Sequence, residues 1–141
     1  MATVYGANYT KQFVNVPSEK IPKGEQYGRV HVAYDSYEAS GAIAINTLIN
    51  FMKLPAGARV IGCTLKYDDL GSAGVIDVGT SADQNAFINA ADVNSAAGAS
   101  QMDNEAGNLA QYSSETQVIA KVTSATTAAG TIELMMEYVV D

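Results

Sequence analysis

Residues 131–140 put Ile132, Leu134, Met136, Tyr138 and Val140 on one parity, against Thr131, Glu133, Met135, Glu137 and Val139 on the other. A period of two held over ten residues describes a strand with one buried face. It excludes an amphipathic helix, whose apolar positions recur every three or four residues. The same grammar recurs upstream. Residues 28–37 alternate with Val30, Val32 and Tyr34 on one parity, and residues 42–54 do so with Ile43, Ile45, Ile49 and Phe51. Residues 58–69 set Ile61, Cys63, Leu65 and Tyr67 inward. Val75–Val78 is a short run, and residues 116–124 turn Val118, Ala120 and Val122 one way. Punctuated by Gly, Pro, Asn and Asp, these seven or eight strand candidates predict an all-β, antiparallel jelly-roll-like β-sandwich.

Two segments break the pattern. Residues 82–111 are rich in Ala, Asn, Ser and Gly, and Asp83 is placed to cap a short helix carrying Ala86, Phe87 and Ile88. Beyond it, residues 94–109 read as one long surface loop, a common place for function. The other exception is residues 1–27, an extended N-terminal arm ahead of a sandwich domain spanning 28–141. Its apolar side chains, Tyr5, Tyr9, Phe13, Val14, Val16 and Ile21, are scattered among polar residues and two prolines with no evident period. Ordering about 20 residues of backbone costs roughly 1–2 kcal/mol each. Burying six such side chains returns about 1.5–3 kcal/mol apiece. Side-chain burial alone falls short, so an ordered arm is expected to pair its backbone with a neighbouring sheet and grip another molecule. Those six residues are the candidate anchors, with Lys11, Lys20 and Lys23 as polar locks.

With 141 residues the chain is long enough for one proper core, yet only 16% of it is charged. With 22 alanines and 12 glycines, the surface reads as neutral and made to be covered. The net charge of −7 is uneven: residues 1–70 carry seven Lys/Arg and six Asp/Glu, whereas residues 71–141 carry Lys121 against nine acids. An acidic second half repels phosphate, so nucleic acid is not an expected partner. That half is expected to face solvent, leaving the near-neutral half and its arm toward a partner. No run approaches 18 apolar residues and no basic segment leads into an apolar one, so neither a membrane span nor an export signal is expected.

The residue types of catalysis are sparse. His31 is the one histidine, read as an exposed strand residue, and Cys63 the one cysteine, read as a buried inert thiol. Together they cannot build a zinc site that needs several such ligands. Neither a nucleophile elbow nor a phosphate or dinucleotide loop occurs. Asp68 and Asp69 point to opposite faces of a strand and read as closing a turn before Gly71. Asp77, Asp83 and Asn85 supply oxygens without the spacing of a calcium loop. An enzyme is not expected, and neither is a cofactor or metal.

Three segments resemble structural proteins of tailed bacteriophages. They are Val14–Ile21 running through Gly24-Glu25 into Gly28–Tyr34, then Lys53–Ile61 around Pro55-Ala56-Gly57, and then Asp69–Ser72 with Ile76–Gly79 and Asp83–Ile88. About two-thirds of the chain is covered, by turn and strand grammar. The resemblance is to capsid decoration or cement proteins, and it implies a virion protein on the capsid exterior, made in the host cytoplasm. Its implied partners are the major capsid protein and itself, as a homodimer or homotrimer. Rival readings are a neck, tail or head-fibre-base component, or a carbohydrate-binding sandwich using Tyr112 and the 89–111 loop.

Overall fold

The computed structural model describes residues 3–5, 7–21, 28–71, 73–94 and 96–140. Nine strands follow a short helical segment: β1 His31–Ala39, β2 Leu48–Leu54, β3 Ala58–Tyr67, β4 Val75–Thr80, β5 Ile88–Asp92, β6 Gly98–Gln101, β7 Gln111–Tyr112, β8 Thr116–Thr123 and β9 Gly130–Val140. One sheet has the order β1-β9-β3-β6, with β7 also pairing with β3, and the other has the order β2-β8-β4-β5. Every pairing is antiparallel. The pairs are nested: first strand with last, second with eighth, third with sixth, fourth with fifth. That is the connectivity of a jelly-roll sandwich.

β9 behaves as its alternation demands. Ile132, Leu134 and Met136 are fully buried between the sheets, opposite a second layer that includes Leu54, Ile76, Val78 and Val122. Each such side chain stabilises the fold by about 1.5–3 kcal/mol. Pro55 and Gly57 make the expected tight turn: the Ala58 N–H donates to the Pro55 carbonyl at 3.1 Å, and Gly57 takes φ +86°. Asp68 and Asp69 close the expected reversal. Asp68 Oδ2 accepts the Thr131 N–H at 2.9 Å and Asp69 Oδ1 accepts that of Gly71 at 3.0 Å.

Several local expectations are corrected. In β3 a bulge between Val60 and Gly62 shifts the register against β9 and flips the parity. Ala58 and Val60 therefore face the core ahead of it, Cys63 and Leu65 after it, and Ile61 does not. Of residues 42–54 only Leu48–Leu54 forms a strand. Ile43 is held by a single bridge to Thr127, and Ile45 is exposed. His31 begins its strand instead of lying within it.

No helix follows Asp83. The segment is a β4–β5 hairpin loop in which the Asp83 carbonyl accepts the N–H groups of Thr80 and Ala86, at 2.8 and 3.3 Å. Gly79 lets this loop fold flat on β4, since a Cβ there would collide with the Asp83 carbonyl. Ala86, Phe87 and Ile88 are all buried, a succession no one-sided helix would give. Residues 94–109 are likewise not a free loop. β6 pairs along Thr64–Tyr67, and the Leu109 N–H donates to the Val60 carbonyl at 2.9 Å, so the segment covers the β3 edge.

The sheet β1-β9-β3-β6 alternates strands from the two sequence halves, whereas β2-β8-β4-β5 takes three of its four strands from the acidic half, so the division of charge follows the sheets only in part.

Candidate partner-binding surface

Among the described residues, none before Ala39 is buried. Of thirteen large apolar side chains exposed in the described chain, ten fall between Val4 and Tyr37, so stickiness is concentrated in one stretch. That stretch has two parts.

The first is the arm. Its lack of period is corrected: Ala7–Tyr9 is α-helical and continues as a π-helical turn over Thr10–Val14. The Asn15 N–H donates to the Thr10 carbonyl at 2.8 Å, the five-residue step of a π turn. Residues four apart on such a segment lie above one another. Tyr5 stacks on Tyr9 with ring centroids 5.3 Å apart and planes at 6°, and Tyr9 meets Phe13 at 4.9 Å and 49°. The three rings form one ladder, yet each stays more than half exposed, at 56%, 51% and 64%. The chain then turns back. The Glu19 N–H donates to the Lys11 carbonyl at 2.8 Å, and Asn15 Nδ2 donates to Glu19 Oε1 at 2.6 Å.

The structure thus gathers Tyr5, Tyr9 and Phe13, and it does not gather all the expected anchors. Val14 is exposed beside the ladder and Val16 is 96% exposed beyond it, while Ile21 is half-buried further along. Lys11 lies half-buried on the π turn and Lys20 is exposed; Lys23 lies outside the described residues.

The second part, which sequence reasoning missed as a surface, is the outer face of β1. Val30, Val32 and Tyr34 are 56–61% exposed. Tyr34 continues into a shallow hollow of about 250 Å³ that it lines with Thr64, Lys66, Glu133 and Met135. Tyr34 Oη donates to Glu133 Oε1 at 2.6 Å, and Lys66 Nζ lies 3.1 Å from Glu133 Oε2. The tyrosine hydrogen bond, then the lysine, hold the Glu133 carboxyl below its ordinary range, and the same bond raises the Tyr34 hydroxyl. The sequence signal was the odd spread of valine and tyrosine on a strand whose own sheet partner, β9, is rich in buried residues.

Elsewhere the chemistry is quiet. Burial, then the Asp103 charge, pushes the Cys63 thiol up to about 12. His31 stacks on Tyr138 with centroids 5.6 Å apart. Asp77 Oδ1 accepts the Ala90 N–H at 2.8 Å, and no group of three potential metal-ligating side chains occurs among the described residues. Tyr112 is half-buried, edge-on to Phe87 at 6.2 Å, so it packs against the core instead of offering a sugar platform. Within the described residues, no helix is long and apolar enough to cross a membrane.

No protein-family model matches the sequence, and no curated protein matches it. Solved structures do share its fold. A chain of the cyanophage Pam1 capsid asymmetric unit superposes with a TM-score of 0.75 at 22% identity, over 90% of this chain and 96% of that one. A chain from the capsid of Ralstonia phage GP4 gives 0.70 at 22%, over 95% and 96%. One from the acidic stable capsid structure of Helicobacter pylori bacteriophage KHP30 gives 0.56 at 20%, over 79% and 94%. The jelly-roll sandwich found here is therefore a fold that these phage capsids also contain.

Proposed function

We propose that this chain is a non-enzymatic structural component of a phage capsid, seated on the outside of the shell and bridging major capsid subunits through its N-terminal arm. The carrying observation is the concentration of exposed apolar side chains between Val4 and Tyr37, ahead of a core that begins at Ala39. The likeness of nearly the whole chain to chains of two phage capsids supports the same reading.

The mechanism is linkage. A ligand that binds only the closed lattice stabilises that lattice by mass action. One arm need not bind tightly, because a body held by several contacts gives each contact a high effective concentration. The aromatic ladder suits this role, since rings presented on a short helical turn lose little freedom when a groove closes over them.

The test is deletion of residues 1–24. The truncated chain is expected to fold, because none of the described residues it loses is buried, and to lose its place on purified particles. Normal occupancy by a folded truncation removes the arm from the mechanism. Copies per particle, counted by electron microscopy, separate the shell from the neck or tail: hundreds mean the shell, and a single ring means the neck or tail.

A further inference from the structure

Sheet edges invite pairing with other chains, and soluble proteins blunt them with bulges, lysines, brevity or inward-pointing charges. Of the four edges of the two sheets, three are blunted in length or register. β2 has a register break between Asn50 and Met52 and carries Lys53. β5 has five residues, pairs with β4 across a break in register, and has Ala90 at φ +57°. β6 and β7 share one edge by pairing with different parts of β3, and they have four and two residues. β1 is the exception. Its nine residues pair with β9 without a break, and none is a lysine, arginine, proline or glycine. No described strand lies on its other side. Main-chain groups alternate in direction along a strand, so about half of those residues turn their N–H and C=O groups toward the free edge.

We infer that the β1 edge receives an extended segment of a different protein, a strand that joins this sheet and brings a Lys or Arg opposite Asp35. The inference rests on the capsid reading for its occupant, a segment of a major capsid subunit. Val32 and Tyr34 of this edge belong to the same exposed apolar stretch on which that reading stands.

The side chains along β1 state the chemistry of the incoming strand. Residues directly opposite on neighbouring strands share a face. On the outer face β1 offers Val32 and Tyr34, 60% and 61% exposed, followed by Ser36 and Glu38. On the inner face it offers Ala33 and Asp35, both half-buried. Asp35 Oδ1 accepts the Ser36 N–H at 2.8 Å, and no cation among the described residues pairs with Asp35 or Glu38. Asp35 is thus the one guard on this edge, an inward charge that penalises a strand placing an apolar or acidic residue opposite it. A Lys or Arg at that place turns the penalty into attraction. The strand that fits has apolar side chains opposite Val32 and Tyr34 and basic ones opposite Asp35 and Glu38. A second copy of β1 does not fit, because its nine residues hold two acids and neither Lys nor Arg.

Hydrogen exchange over residues 31–39, read by mass spectrometry, tests the pairing with the full chain free and then bound to purified particles lacking it. In the free chain about half of these amides should exchange fast, and on particles they should slow by roughly tenfold or more. A chain that binds particles while its β1 amides stay fast overturns the inference and leaves the capsid reading standing. A chain that does not bind particles overturns the capsid reading, and the inference falls with it. Asp35→Lys should weaken particle binding roughly tenfold or more, because a like charge replaces an opposite one across the pair. Glu38→Lys, at an exposed position, should weaken it in the same direction, and it decides the matter where circular dichroism shows that Asp35→Lys disturbs the fold. Glu105→Lys makes the same change of charge on the exposed segment between β6 and β7, and it should leave binding within about twofold. Equal losses in all three variants mean charge attraction without strand pairing and overturn the inference. Unchanged binding by Glu38→Lys and by a folded Asp35→Lys overturns it as well.

Discussion

Tyr9→Ala separates a contact residue from a folding residue more sharply than any other change. Tyr9 stands at the middle of the ladder, touching Tyr5 and Phe13, and is 51% exposed. An aromatic side chain can bury about 150–250 Å², so half remains, roughly 100 Å². At about 25 cal/mol per Å² its cover by a partner is worth about 2.5 kcal/mol. The expected loss is on the order of 50-fold in the affinity of one copy for the particle. The sandwich should not notice. No described residue of the arm is buried, so the isolated chain should keep its Tm within about 1 °C, as surface changes do. The assay adds purified protein back to particles lacking it and measures pelleted occupancy against concentration. Scanning calorimetry of the free chain supplies the second axis. A fall in Tm of several degrees would mean that the ladder packs on its own sandwich. Unchanged occupancy with unchanged Tm would mean that the ladder faces nothing.

Phe87→Ala should do the opposite: the ring is fully buried against Tyr112, and its loss should cost about 3–5 kcal/mol, read as a drop in Tm of roughly 10 °C or more. Gly79→Ala should destabilise by about 1–3 kcal/mol in denaturant titration, because the new methyl meets the Asp83 carbonyl and the hairpin loop must move. The Glu133 carboxyl is held below its ordinary value of 4.5, so its contribution is present above that pH and is lost as pH falls through the lower, folded value. Tyr34→Phe removes the leading cause, and carboxyl NMR should show the Glu133 midpoint moving up toward 4.5. Cys63, pushed up to about 12, should react with a thiol reagent at the rate of global unfolding and no faster.

The strands were legible because alternation is local and burial follows it; β9 and β8 carry their buried faces in plain sight. What the sequence hid was set by distant atoms. The β3 bulge exists because Val60 and Gly62 must both be reconciled with β9, and nothing in Ala58–Tyr67 alone marks it. The Asp83 loop looked helical because Ala, Asn and Gln carry no strand signal, yet the close approach at Gly79 decides its path. The arm carries mixed signals: the four-residue spacing of Tyr5, Tyr9 and Phe13 suits one helical face, whereas Pro17, Pro22 and the strand-rich chain that follows favour extended backbone.

Jelly-roll nesting explains why the apolar outer face of β1 sits where it does. The last strand, β9, lies between β1 and β3 and carries three fully buried side chains, whereas β1 sits at the rim and carries one buried residue, Ala39. The sheet margin is the position on which the core depends least, so apolar side chains placed there are free to serve contacts outside the chain.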